Sequence, residues 1–404
     1  VAMNTISPKL STLSLALISA LGLMSASAQA DGVETIAKAV KDGKTTINLR
    51  YRLETVDQDG IAEDAVASTL KSRLTWQSGK AGNFSVKLEV DDVTRIGDDD
   101  FNSTANGQGQ YPVVADPEGT DINQAFLKYT SDNFSWTMGR QRIVHNDQRF
   151  VGGVAWRQNE QTYDGYRFEY KASKQLKFDY SYIFNVNRIF GPSGAKADLG
   201  GDLHLFNANY AIDDAHKLAF FGYALDFDTA HAASSNTFGI RYTGKFANKM
   251  YLNASYAAQQ DAGDNPTDFS TDYFAAELGG KLSNVTLAAG YEMLGSDNGV
   301  GFSTPLATLH KFQGFADKFL GTPGSGVQDF YLKAATKVGA WGFTAFWHNF
   351  EADTGSADLG TEIDLVASYK FNKHFSGLLK WSSYDADNHA SDTDKLWFMI
   401  NAKF

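Results

Sequence analysis

The chain of 404 residues has no cysteine, which excludes a disulfide framework and thiol chemistry. It has only 7 prolines. Beyond its first thirty residues no apolar run is long enough for a membrane-spanning helix. Positive charge is also short. Lys and Arg number 36 against 47 Asp and Glu, a formal net charge of −11, so nucleic-acid binding through bulk charge is excluded. Catalytic signatures are missing as well. There is no GxSxG, no HExxH, no phosphate-binding glycine loop, and the 8 histidines show no ligand spacing. The sequence therefore points to no enzyme, cofactor or metal centre. Asp57-Gln58-Asp59-Gly60 starts like a calcium loop, but Glu63 and Asp64 come too early to complete one.

The N-terminus reads as a secretion signal over residues 1–30. Lys9 is its positive end, Leu13 to Leu23 its apolar stretch, and Ala28-Gln29-Ala30 a small-residue cleavage site. A mixed periplasmic lead-in over 31–44 follows, and then 45–404 as one domain.

In that domain the dominant pattern has period two. In TINLRYRLE, Ile47, Leu49, Tyr51 and Leu53 share one face, and Asn48, Arg50, Arg52 and Glu54 the other. LKSRLTW, FSVKLEVDD, YRFEYK and LKFDYSYIFNVN alternate in the same way, as strands do. About eighteen such segments occur, each near the roughly 9–11 residues that a tilted strand needs to cross a bilayer. Their connections alternate short and long by parity. This predicts an all-β fold, a single antiparallel transmembrane β-barrel with short periplasmic turns and long extracellular loops. Its mean hydropathy of −0.31 fits, because lipid-facing and lumen-facing residues cancel. The expected location is the Gram-negative outer membrane, among lipid and lipopolysaccharide, as a monomer. The closing strand KLWFMINAKF ends on Phe404, an aromatic end like the signal read by the barrel assembly machinery.

The parity of the strands turns Arg50, Arg52, Arg73 and Arg167 into the lumen, among bases that modestly outnumber acids. Between two strand patterns lies GRQRIVHNDQRFVGGVAWRQNEQTYDG, residues 139–165, too polar and irregular for a strand. It carries Arg140, Arg142, Arg149 and Arg157 with amides such as Gln148 and Gln158. Guanidinium and amide groups together suit a hydrogen-bonding anionic solute. The expectation is a loop over 143–162 folded inward as a constriction. Regular alternation would turn Arg140 and Arg142 toward lipid, so a bulge or inward turn is expected at Gly139.

GRQRI, NDQRFVGGVAWRQNEQTYDG and FSTPLATLHKFQGFADKFLGTPGSGVQD (residues 302–329) together resemble the bacterial alginate export family of outer-membrane porins. The resemblance covers nearly all of the mature chain. It implies an eighteen-stranded barrel with an arginine-lined conduit for an acidic polysaccharide, and Arg140, Arg142, Arg149 and Arg157 fall on the family's arginine-rich stretch. The expected function is a channel for anionic sugars or acidic oligosaccharides. The alternatives are a general diffusion porin for small hydrophilic solutes and a non-conducting surface receptor or adhesin.

Overall fold

The computed structural model describes residues 30–192 and 194–404. The expected secretion signal lies outside the described residues, apart from Ala30. A helix, α1 (Ala30–Lys41), comes first. The expected lead-in is therefore largely helical, and the Ala39 carbonyl accepts the Gly79 N–H at 2.8 Å, which seats the helix on the turn after the second strand.

Then come β1 (Lys44–Gln58), β2 (Ala65–Gln77), β3 (Phe84–Arg95), β4 (Gly119–Thr130), β5 (Phe134–Gln141), β6 (Thr162–Lys171) and β7 (Leu176–Asn187). They are followed by β8 (Asp198–Ala211), β9 (His216–Phe227), β10 (Ser235–Lys245), β11 (Met250–Asp261), β12 (Ser270–Leu282) and β13 (Val285–Leu294). A two-residue-per-strand hairpin, β14 (Ser296–Asp297) and β15 (Val300–Gly301), sits within a long loop. The chain ends with β16 (Val327–Val338), β17 (Trp341–Glu351), β18 (Asp358–Lys370), β19 (Phe375–Ala386) and β20 (Thr393–Lys403).

All but the small hairpin form one antiparallel sheet of 18 strands. β1 pairs with β2 on one side and with β20 on the other, from Asn48 opposite Lys403 to Gln58 opposite Thr393. The sheet is thereby closed and has no free edge, which a bilayer requires because it offers nothing to hydrogen-bond an open strand.

The two faces follow the alternation. Ile47, Leu74, Phe168, Phe330, Leu365 and Phe398 are exposed to the surrounding membrane, while Arg52, Glu54, Glu292, Asp364 and Lys380 are buried inside. Trp341, Tyr369 and Phe371 pack at the turn end of β17 and β18, with ring centroids 4.6 and 4.9 Å apart. Such aromatics suit the boundary between lipid and water.

Three of the long connections turn inward in whole or in part. Segments 142–161 and 295–326 are folded into the barrel, and 96–118 turns inward at Val114 to Asp116. Phe101 and Val114 from the first pack with Val56, Ala65 and Ala67. Ile143, Val151, Phe302, Leu306 and Phe319 from the other two join wall residues such as Tyr223, Leu225 and Phe350 in one apolar cluster. Burial of each such large side chain stabilises by about 1.5–3 kcal/mol, so these loops are built parts of the lumen. The sequence reading anticipated an inward fold for only one of the three.

Candidate functional site in the barrel lumen

The arginine-rich segment begins in β5, and the expected bulge at Gly139 is not there. Gly139 stays in register with Phe126 on β4 and Gly165 on β6. The irregularities lie in the neighbours, between Glu89 and Val90 on β3 and between Asp164 and Gly165 on β6. Gly139 itself takes φ +117°, and a Cβ there would lie 2.4 Å from the Ala125 carbonyl oxygen. Arg140 is not redirected by a bulge. It is neutralised where it stands, since its Nε and Nη2 donate to the two carboxylate oxygens of Asp164 at 2.8 and 3.1 Å. Its Nη1 donates to the Ile122 carbonyl at 2.9 Å.

From Arg142 onward the chain runs inside the barrel. Arg142 donates to Glu160 and, at 3.2 Å, to Glu89. Arg73 of β2 donates to Glu160 at 3.0 Å and grips Asp91 with two donors at 2.6 and 2.5 Å. Burial alone would raise the Glu160 carboxyl, but Arg73 and Arg142 hold it well below the usual carboxylate range.

Further along the loop, Arg157 meets a second group of charges. Its Nη2 lies 2.7 Å from Glu54 of β1 and 2.9 Å from Asp116 of the 96–118 loop. Asp116 also takes Arg52 at 3.1 Å and the Gln158 N–H at 2.7 Å. Burial pushes the Asp116 carboxyl up, and Arg157 and Arg52 more than reverse this, so it stays ionised. The Gln158 amide donates to Thr69 Oγ1 at 2.8 Å, which ties the loop to β2.

Arg149 crosses to the other side of the barrel. Its Nε donates to Glu292 of β13 at 2.7 Å and its Nη1 to Thr304 at 3.1 Å. The guanidinium lies 4.9 Å from the ring of Phe312. Gln148 joins the 142–161 and 295–326 loops, accepting the Thr308 N–H at 3.0 Å on its carbonyl and the Thr308 hydroxyl at 2.8 Å on its side chain. Gly152 leaves room for this seam, because a Cβ would sit 2.3 Å from Thr308 Oγ1. Val154 nearby is held at φ +48°, a strained value for a β-branched residue, and its N–H donates to the same hydroxyl at 3.1 Å. Arg167 lies on the wall at the start of the loop and is paired with Asp179, with Nε donating at 3.0 Å, while His145 of the loop lies 3.6 Å from the same carboxylate. It lines a cavity of about 400 Å³ with Glu169, Lys171 and Asn209.

One candidate differs from the others. Arg50 of β1 donates to the Gln158 side chain at 2.9 Å, to the Ala155 carbonyl at 2.8 Å and to the Arg157 carbonyl, all neutral acceptors. Directly opposite it on β2 is Lys71. Among the described residues no carboxylate oxygen lies within 4.0 Å of either cation.

Several residues of the site were not foreseen. Asp116 and Glu160 are not set apart by local sequence from the other acids of their loops, Asp98, Asp99, Asp100 and Glu118 in the first and Asp147 in the second. Trp156 stacks on His310 at 4.3 Å between ring centroids. His310 Nδ1 is 2.7 Å from Asp317, and Lys380 Nζ is 2.6 Å from its Nε2. Lys395 of β20 reaches the same Asp317 at 3.1 Å. His348 of β17 is a wall residue, 2.9 Å from Asp329.

Solved structures share this architecture at low identity. The chain is similar to OccAB4 of Acinetobacter baumannii, at 15% identity and TM-score 0.69, covering 90% of this chain and 98% of that one. It is similar to OpdK of Pseudomonas aeruginosa solved with vanillate, at 13% identity and TM-score 0.71, covering 90% and 99%. OccK3 of the same organism gives 14% identity and TM-score 0.71, covering 92% and 98%. A search of curated proteins found no sequence match. The sequence profile of the alginate export family matches residues 44–293, more than half of the chain. With a closed barrel of 18 strands and a lumen of ionised side chains around inward loops, this chain is an outer-membrane channel protein of the Gram-negative envelope and belongs to the alginate export family.

Proposed function

We propose that the channel passes carboxylate-bearing solutes, namely anionic sugars and acidic oligosaccharides of the alginate kind. One observation carries this reading: the facing pair of Arg50 and Lys71, set beside the inward loop with no carboxylate oxygen of the described residues within 4.0 Å of either. Two facing cations with no carboxylate in direct contact favour an anion beside them, and a guanidinium offers paired donors that match a carboxylate. The family match and the vanillate of the OpdK structure, itself a carboxylate, support the same class of solute. The barrel closes within one chain, so a monomer provides a complete pathway.

Conductance across planar bilayers tests the reading. The native channel is expected to prefer anions, and Arg50→Ala with Lys71→Ala to lose most of that preference. A native channel that prefers cations would overturn it. A general diffusion pore is the second reading. It draws on the fact that Arg140, Arg142, Arg149 and Arg157 already have carboxylate partners in the protein. Liposome swelling separates the two, since equal entry of neutral and acidic sugars of one size favours the general pore.

A further inference from the structure

The lumen wall across β11, β12, β13 and β16 has a feature that the arginine loop does not use. Gly279 and Gly290 leave gaps in its inner face, and Ala288 stands beside Gly279 in the register. Two tyrosines lean into the gaps. Tyr251 is opposite Gly279, and a Cβ on that glycine would fall 2.3 Å from the tyrosine Cζ. Tyr331 is opposite Gly290, where the same distance would be 2.0 Å. Each ring therefore lies along the wall in the space a side chain would take, with one side against the backbone. Both tyrosines are only partly buried, and the Tyr331 ring is flanked by those of Phe346 and His348, at 6.4 and 5.4 Å between centroids.

A carboxylate holds one of the two rings: the Tyr331 hydroxyl donates to Glu277 Oε2 at 3.0 Å. Around this floor stand three cations. Lys333 Nζ is 3.8 Å from Glu277, Arg241 is 2.7 Å from Asp147, and Lys311 donates to the Asp147 carbonyl at 2.7 Å. Three bases thus share two carboxylates, Glu277 and Asp147.

We infer that Tyr251 and Tyr331 form a stacking platform for the pyranose ring of a uronate unit, with Arg241, Lys311 and Lys333 receiving its carboxylate. A sugar ring presents a face of C–H groups that fits a flat aromatic surface, while its rim carries hydroxyls and the acid group. A ring face beside surplus positive charge recognises both features together, and a neutral sugar or an acyclic acid satisfies only one. The inference rests on the anionic-sugar reading above and deepens it.

The test is interruption of single-channel current by a uronate trisaccharide, compared with a neutral glucose trisaccharide and with glutarate. Tyr251→Leu with Tyr331→Leu keeps bulk over the glycines and removes the ring faces. The expected result is a uronate residence time shortened about tenfold, with anion preference and glutarate passage unchanged. Tyr251→Phe with Tyr331→Phe keeps the rings and is expected to stay within about twofold of native, a difference of only ~0.4 kcal/mol. Folding of each variant is checked by the heat-dependent mobility of the barrel on gels. An unchanged residence time in the folded, anion-selective leucine variant overturns the platform. A cation-preferring native channel instead overturns the anionic-sugar reading on which it rests.

Discussion

Arg157 lies 2.9 Å from Asp116, and both residues come from loop segments folded inside the barrel. Arg52 and Glu54 of β1 complete the group, and both are fully buried. The loop arginine is therefore a fastener between loop and wall. Removal of one partner from a buried ion pair typically costs about 3–5 kcal/mol, because a charge is left uncompensated. Arg157→Ala is expected to release the 142–161 segment from β1, with larger and noisier single-channel current. Arg157→Ala combined with Asp116→Ala should cost less than the two single losses added. Native-like current from Arg157→Ala would contradict the fastener role.

Arg149 holds the opposite side. It joins the 142–161 loop to Glu292 on β13 and to Thr304 on the 295–326 loop. Arg149→Ala is expected to loosen both loops together. Limited proteolysis should show new cuts in both segments, whereas Arg157→Ala should expose mainly the first. Cuts confined to one loop would argue against the joint anchor.

His310 gives the lumen a dependence on pH. The groups around it are Asp317 of its own loop, Lys380 of β19 and Lys395 of β20, with the rings of Trp156, Phe315 and Trp397. Lys380 donates to Nε2, and Nδ1–H donates to Asp317, an arrangement of the neutral imidazole. Burial lowers its pKa to about 3, with Asp317 opposing and Lys380 adding to the effect. A released loop would return the imidazole to its ordinary value near 6.5. Between those values only the released form binds the proton, so docking is full above about 6.5 and weakens as pH falls toward 3. At pH 5 the loss is about 2 kcal/mol. Current noise should rise between pH 7 and 5 in the native channel and much less in His310→Asn. Equal pH response of the two would remove His310 as the cause.

Gly139 combines φ +117° with the close approach of the Ala125 carbonyl. Gly139→Ala is expected to destabilise the β4–β5 pairing by about 2 kcal/mol. The readout is a lower temperature for loss of the compact barrel on gels, with ion selectivity kept. An unchanged temperature would show that the strand relaxes around the added methyl.

The alternation in TINLRYRLE already assigned Ile47 to the membrane and Arg52 to the interior, because the side-chain period of a strand is local and needs no partner. Loop parity likewise indicated the closed barrel, and the burial of Trp397, Met399 and Lys395 against exposed Leu396 and Phe398 in β20 repeats the same rule. Gly139 shows where local reading stopped. The parity conflict at Arg140 was legible, but its resolution through Asp164 across the sheet was not, since only strand pairing brings 140 beside 164.

By itself the sequence determined the barrel, its count of strands, the two faces of its wall and the polar character of the 142–161 loop. These follow from period-two patterning and turn chemistry, which act over a few residues. Tertiary structure decided which arginines are spent on the protein's own carboxylates and which remain available. Arg149 meets Glu292 across 143 positions of chain, and Arg157 meets Asp116 across 41. A guanidinium pairs through space, at hydrogen-bond range, so the charge it presents to a solute is set by how three loops pack within the closed sheet.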